Sequence, residues 1–322
     1  MRALALLLCV AGVAVALATG ASAQSGDDKK RLAVLALTEA SVELTRNVTL
    51  PALAKLGFES GRNLDVRVES GPADRMPALV QRLLDGKPDA IFVIGNEAVI
   101  AAHAATKTVP IVFFGPDPVR LGIVPSLAKP SGNVTGIAIL SIELNAKRLD
   151  LLREAKPSAR RIAALMQRNP AAALYEVEMR DVATRAGLEL LPVVVDGPAD
   201  FVDAFARMRA ERAEALVIAS NPLLFQNGAV LASLASAGGL PTICEWPAMT
   251  QAGCLLGYGP PLNEIRAHVA TIIARVLRGT KPADLPIEQP TRFELSINSK
   301  TAKTLGLVIP PALLARADEV IE

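Results

Sequence analysis

Leu32-Ala33-Val34-Leu35-Ala36-Leu37, followed at once by Thr38-Glu39-Ala40-Ser41, decides the fold class. Six consecutive apolar residues leave no polar face, so a strand here is covered on both sides, as in a parallel sheet flanked by helices. The same unit recurs downstream. Apolar runs at residues 64–68, 90–94, 111–114 and 134–140 complete a first group of five strands. A second group of five falls at 161–166, 188–195, 215–219, 241–244 and 254–256. Amphipathic stretches lie between the runs, the alternation that βα units produce. Leu144, Arg148, Leu151, Leu152 and Ala155 share one face of a helix that stops at Lys156-Pro157. Leu262, Ile265, Val269, Ile272 and Val276 do the same, with Gly279 placed as a C-terminal cap. Two consecutive groups of five strands predict two α/β lobes. Turn-rich stretches occur at 128–133 and, with three prolines, at 281–290.

The first two dozen residues are of another kind. Arg2 supplies a short positive region, residues 3–19 are almost unbroken Ala, Leu and Val, and Gly20 precedes Ala21-Ser22-Ala23. That is the pattern of a signal peptide cut after Ala23, so export to the periplasm is expected. The apolar run falls short of the about 20 residues that a bilayer span takes. Cys9 follows Leu8, too large for a lipid-attachment site, and the apolar run continues past it.

The net charge of +2 includes Arg2. A nearly neutral mature chain does not offer the clustered basic surface that nucleic acid demands. Cys244 and Cys254 remain after cleavage. An oxidising compartment would permit a bridge between them, but neighbouring parallel strands would hold them at opposite ends, and two buried thiols are expected. Aromatic residues make up only 3% of the chain, with one Trp, so an aromatic at a strand end stands out.

Several chemistries are missing from the pattern. No G-x-G-x-x-G follows the first strand, there is no phosphate-binding G-x-x-x-x-G-K-[ST] loop, and Gly57-Phe58-Glu59-Ser60-Gly61 only loosely resembles a serine-hydrolase elbow. The two histidines, His103 and His268, fall inside predicted helices without spaced partners, so neither reads as a general base or zinc ligand. Acidic residues occur throughout, which leaves a carboxylate pair open. No cofactor and no enzyme activity are expected.

In open parallel sheets, ligands bind at the loops leaving the carboxyl ends of the strands. That rule nominates Thr38, Glu39 and Ser41, then Gly95, Asn96 and Glu97, then Gly115, Pro116 and Asp117 from the first group. From the second it nominates Arg168 and Asn169, Ser220 and Asn221, and Glu245 with Trp246. Thr38, Ser41, Asn96, Asp117, Asn169 and Asn221 serve equally as helix N-caps. The roles are compatible, because a helix N-terminus attracts anionic groups. Trp246 is either core or a wall for a planar ligand. Tyr258 is either hinge packing or cleft lining.

These residues also carry a family resemblance. Leu56-Gly57-Phe58-Glu59-Ser60-Gly61-Arg62-Asn63-Leu64, Ser131-Gly132-Asn133-Val134-Thr135-Gly136 and Lys147-Arg148-Leu149 resemble segments of the ABC transporter substrate-binding proteins of tryptophan/tyrosine type. So do Asp117-Pro118-Val119, Tyr258-Gly259-Pro260, the run from Lys281 to Pro290, and Ile309-Pro310-Pro311. The resemblance implies a type I periplasmic binding fold, two Rossmann-like lobes joined by three crossovers. It places 31–138 with 260–282 in the N-terminal lobe and 139–259 with 283–322 in the C-terminal lobe. It implies a monomeric receptor that closes on a small organic solute, amino-acid-like or aromatic, and hands it to an ABC permease served by a separate ATPase. A sensor presenting solute to a membrane receptor is the alternative. The chain departs from the family pattern at Thr38-Glu39-Ala40-Ser41 and at Gly95-Asn96-Glu97-Ala98, where members often read "GTPAA". Glu39, Asn96 and Glu97 are therefore unusual polar groups at the expected cleft.

Overall fold

A computed structural model describes residues 29–115, 117–139, 143–169 and 172–322. The expected leader, with its cleavage after Ala23, lies outside the described residues, as does Pro116.

The first five apolar runs form one parallel sheet: β1 (Lys30–Ala36), β2 (Leu64–Ser70), β3 (Ala90–Ile94), β4 (Ile111–Gly115) and β5 (Val134–Ala138), in the order β2-β1-β3-β4-β5. Every residue of β3, β4 and β5 is buried, as unbroken apolar strands covered on both faces must be. Strand β2 lies at the edge, and its charged alternates Asp65, Arg67 and Glu69 reach partly into solvent. Around this sheet stand α1 (Glu39–Leu44), α2 (Leu50–Lys55), α3 (Met76–Asp85) and α4 (Asn96–Ala105). A π-helical turn at Thr45–Thr49 joins α1 to α2.

The second sheet holds β6 (Arg161–Gln167), β7 (Glu189–Val195), β8 (Ala215–Ile218), β9 (Thr242–Cys244), β10 (Leu256–Gly259), β11 (Glu294–Asn298) and β12 (Glu319–Ile321). Its order is β12-β11-β10-β9-β8-β6-β7, parallel except for the β10–β11 pair. The helices here are α5 (Asn145–Ala155), α6 (Ala172–Arg185), α7 (Phe201–Ala210), α8 (Pro222–Gln226) and α9 (Gly228–Ala237). The remaining helices are α10 (Leu262–Leu277), α11 (Ser299–Thr304) and α12 (Pro311–Leu314). Five of these strands repeat the order of the first sheet, and the C-terminal tail adds β11 and β12, which hydrophobic patterning alone had not separated from loop.

The chain passes between the sheets three times, the interleaving expected of a type I periplasmic binding fold. After β5 it leaves for α5. After β10 it returns, and α10 packs on α2 and on β3, β4 and β5. Residues 285–288 then run beside β5, with Glu288 N donating to Gly136 O at 3.0 Å and Ala138 N to Glu288 O at 2.9 Å, before the tail joins the second sheet as β11. Helix α10 was legible from its apolar stripe, and ten of its residues are buried.

One expectation is overturned. Cys244 and Cys254 form a disulfide, with Cα atoms 6.7 Å apart. Strand β10 starts at Leu256, two residues later than patterning placed it, and Gly257 rather than Cys254 faces Cys244 in the ladder. Cys254 therefore sits in the turn entering the strand, with its N–H on Met249 O, and reaches its partner from outside the sheet.

Gly136 lies opposite Phe113 in the β4–β5 ladder at φ +148°. A Cβ there would stand 2.1 Å from the Phe113 carbonyl oxygen. Gly136→Ala is predicted to lower stability by about 2–4 kcal/mol through strain and overpacking. Denaturant unfolding checks this, and a wild-type midpoint would contradict it.

A cleft between the two sheets

The strand order reverses between β1 and β3 in one sheet and between β6 and β8 in the other. Successive helices leave opposite faces of a sheet at such a point, which opens a crevice at the strand ends. The two crevices face each other. Together they bound one shared cavity, open at its mouth and lined by residues of both sheets. Ser41 follows β1, and Gly95, Asn96 and Glu97 follow β3. Gln167 and Asn169 stand at and just beyond the end of β6, and Ser220 and Asn221 follow β8.

The walls are largely apolar. Phe114, near the end of β4, stacks on Trp246 from beyond β9, ring centres 6.2 Å apart and planes at 28°. This contact links the two sheets directly. The guanidinium of Arg266, on α10, also lies over this phenyl ring, 5.2 Å from the Phe114 centroid and 5.3 Å from that of Phe92. Cation–π contacts of this kind favour the charged form. Arg266 is wholly buried and lines the cavity. Burial pushes its pKa down to about 9, which leaves it a cation at neutral pH. Its backbone anchors the helix too, since Thr49 Oγ1 donates to Arg266 O at 3.1 Å.

Beneath the other wall runs a buried polar network. Arg148, on α5, faces Glu245 with Nη2 3.8 Å from Oε1, both side chains 1% exposed. Arg148 Nε donates to Tyr258 O at 3.0 Å and Nη1 to Asn145 Oδ1 at 3.1 Å. Tyr175, on α6, donates its hydroxyl to the same Asn145 oxygen at 3.2 Å and turns its ring to the cavity. Burial first, and Glu245 further, raises the Tyr175 pKa against the opposing pull of Arg148 and the Asn145 hydrogen bond, so the phenol stays protonated.

The residues nominated from sequence divide accordingly. Ser41, Gly95, Asn96, Glu97, Gly115, Asn169, Ser220, Asn221 and Trp246 line the cavity. Asn221 also caps α8, accepting from Leu223 N at 2.8 Å. Thr38 is buried beside the site and caps α1, accepting from Ser41 N at 3.3 Å. Glu39 points to solvent and pairs with Arg46 at 3.1 Å. Asp117 accepts from Val119 N at 2.8 Å and faces Arg120 at 3.7 Å. Arg168 pairs with Asp196 on the surface. Glu245 is the internal counter-ion just described, and the Tyr258 ring packs on Phe293, centroids 6.3 Å apart. Those six side chains, Thr38, Glu39, Asp117, Arg168, Glu245 and Tyr258, are not brought to the cavity wall. Arg266, Tyr175 and Phe114 were not anticipated. A signal for Arg266 was present, because it falls on the apolar stripe of α10 between Leu262 and Val269.

The geometry describes a two-lobed solute-binding protein. Residues 32–321 match the ABC transporter substrate binding protein family, and the chain belongs to it. The family is one of solute-binding proteins and not of enzymes. A protein of Clostridioides difficile named tyrosine-binding protein is 24% identical over 94% of this chain and 92% of its own. Among solved structures, a conserved domain protein of Vibrio cholerae superposes with a TM-score of 0.84 at 26% identity, over 91% of this chain and 99% of that one. The ABC domain of Streptococcus pneumoniae solved with L-Trp gives 0.83 at 23% identity, over 91% and 100%.

Glu245→Ala is predicted to destabilise the protein by about 3–5 kcal/mol, the usual cost of stranding one member of a buried ion pair. Thermal or denaturant unfolding checks this. Lost solute binding with unchanged stability would contradict the structural role.

Proposed function

We propose that this protein is exported, cleaved after Ala23, and captures a small organic solute, aromatic or amino-acid-like, between its lobes for an ABC permease and separate ATPase. The working units of the motion are residues 31–138 with 260–282 and 139–259 with 283–322, acting as a monomer. What carries the reading is the cavity itself, built from the strand-end loops of both sheets, so that a bound molecule touches both lobes at once. The names of the relatives, one tyrosine-binding and one solved with L-Trp, favour an amino-acid-like or aromatic solute, and the Phe114–Trp246 wall suits a planar one.

Closure about the crossovers has visible contact points. Ala40 N, on α1, donates to Gln226 Oε1, on α8, at 3.3 Å. Arg120, beyond β4, pairs with Glu178 on α6 and lies 3.6 Å from Glu143. Gly95 lies near Pro222, whose Cγ would stand 3.4 Å from a Cβ built there, an ordinary van der Waals contact. Partly exposed ion pairs of this sort contribute about 0–1 kcal/mol each. Moving a population from 1:99 to 99:1 takes about 5.5 kcal/mol. The solute must therefore supply most of the closing free energy through contacts with both lobes.

Native mass spectrometry of the purified protein is predicted to reveal a retained solute. Returning that solute to stripped protein changes the emission of Trp246, the sole tryptophan. Saturable binding by calorimetry with unaltered emission would place the solute elsewhere.

A further inference from the structure

Two buried side chains of opposite sign line the cavity with hydrogen-bonding atoms unmet among the described residues. Arg266 commits Nη2 to Ser41 O at 2.8 Å and Thr45 Oγ1 at 2.7 Å. Its Nε and Nη1 meet no acceptor. Glu97 stands in the first turn of α4, 9% exposed, and neither carboxyl oxygen has a donor. Burial raises its pKa, against a smaller opposing effect of its own backbone N–H. The rings of Phe92 and Phe114 favour the Arg266 cation but accept no conventional hydrogen bond in the guanidinium plane.

Either group left unmet is costly, because a buried charge is tolerated when paired and hydrogen-bonded. The two do not serve each other, since neither atom set has a bonding partner. Structural buried arginine behaves differently in this same chain, where Arg148 is met by Glu245, Asn145 and a carbonyl. Arg266 and Glu97 line one space. The atoms they leave unmet among the described residues are open to whatever fills it.

We propose that Arg266 and Glu97 are the two poles of the site, reading a solute that carries both an anionic group, held by the open N–H groups of Arg266, and a protonated amine, held by the Glu97 carboxylate. The assignment rests on the receptor reading above and specifies the charge pattern which that receptor selects. A purely anionic solute leaves Glu97 without a donor and close to a second negative charge. A purely cationic one leaves Arg266 unmet and adds a like charge. Only a dipolar molecule satisfies both ends, while Trp246 and Phe114 cover the body between them.

Calorimetry of stripped protein against the twenty L-amino acids, with β- and γ-amino acids added, tests this. Each compound that binds is compared with its deaminated acid and its decarboxylated amine. At least one amino acid is expected to bind, with both truncated analogues at least about 100-fold weaker, as loss of a charged hydrogen-bond partner in a buried site implies. In Glu97→Gln the gap between the amino acid and its deaminated acid is expected to shrink to about threefold or less. If that variant fails to fold, the analogue series on the unaltered protein still decides. Analogues that bind as well as the amino acid, or an unchanged gap in Glu97→Gln, overturn the assignment. So does binding by none of the panel: if a non-dipolar solute is then released from the purified protein, the receptor reading survives alone, and if nothing is released or bound, both fall.

Discussion

Where the strand order reverses, a parallel sheet has no helix to cover its end. This happens once in each sheet here, between β1 and β3 and between β6 and β8. The two uncovered ends face one another, and the rest of the molecule follows from that constraint. The loops there need not pack against a neighbouring helix, so short polar residues such as Ser41, Asn96, Ser220 and Asn221 can occupy them. Helix α10, returning from the second sheet to the first, carries Arg266 into the same gap.

The cleft is held in shape by two buried networks built into its walls. On one side Arg266 is clamped between Phe92 and Phe114 and tied to Ser41 and Thr45, which fixes the helix start, the π turn and the wall together. On the other, Arg148 joins Glu245, Asn145 and the backbone of Tyr258, and Asn145 in turn orients Tyr175. Both networks are buried, and each positions an aromatic face. Contacts between the lobes include Phe114 on Trp246, the hydrogen bond from Ala40 to Gln226 and the ion pairs of Arg120. Buried walls joined by such contacts suit the proposed receptor, which would open and close without refolding.

Much of this was legible in the residues. The unbroken apolar runs at 32–36 and 90–94 gave both strands, because parallel strands covered on two faces need no alternation. The strand-end rule then reached Ser41, Asn96, Glu97, Asn221 and Trp246 without coordinates. It named residues off the cavity wall where a polar side chain at a strand end was already satisfied: Thr38 by a local cap, and Glu245 by Arg148, a contact made only by long-range packing. It could not find Arg266 or Tyr175, which reach the site from helices and not from loops. The strands β11 and β12 were missed because Glu294–Asn298 and Glu319–Ile321 lack the unbroken apolar run that marked the others. The disulfide was misjudged because it depends on where β10 begins, and a shift of two residues reverses the geometry.

The central claim is that two rigid lobes shut on a solute held between their strand ends. Small-angle X-ray scattering of the stripped and solute-loaded protein tests it most directly. A smaller radius of gyration and a shorter maximum dimension in the loaded form are predicted, reverting when the solute is removed. Superimposable curves, under conditions where calorimetry shows the site saturated, would contradict it.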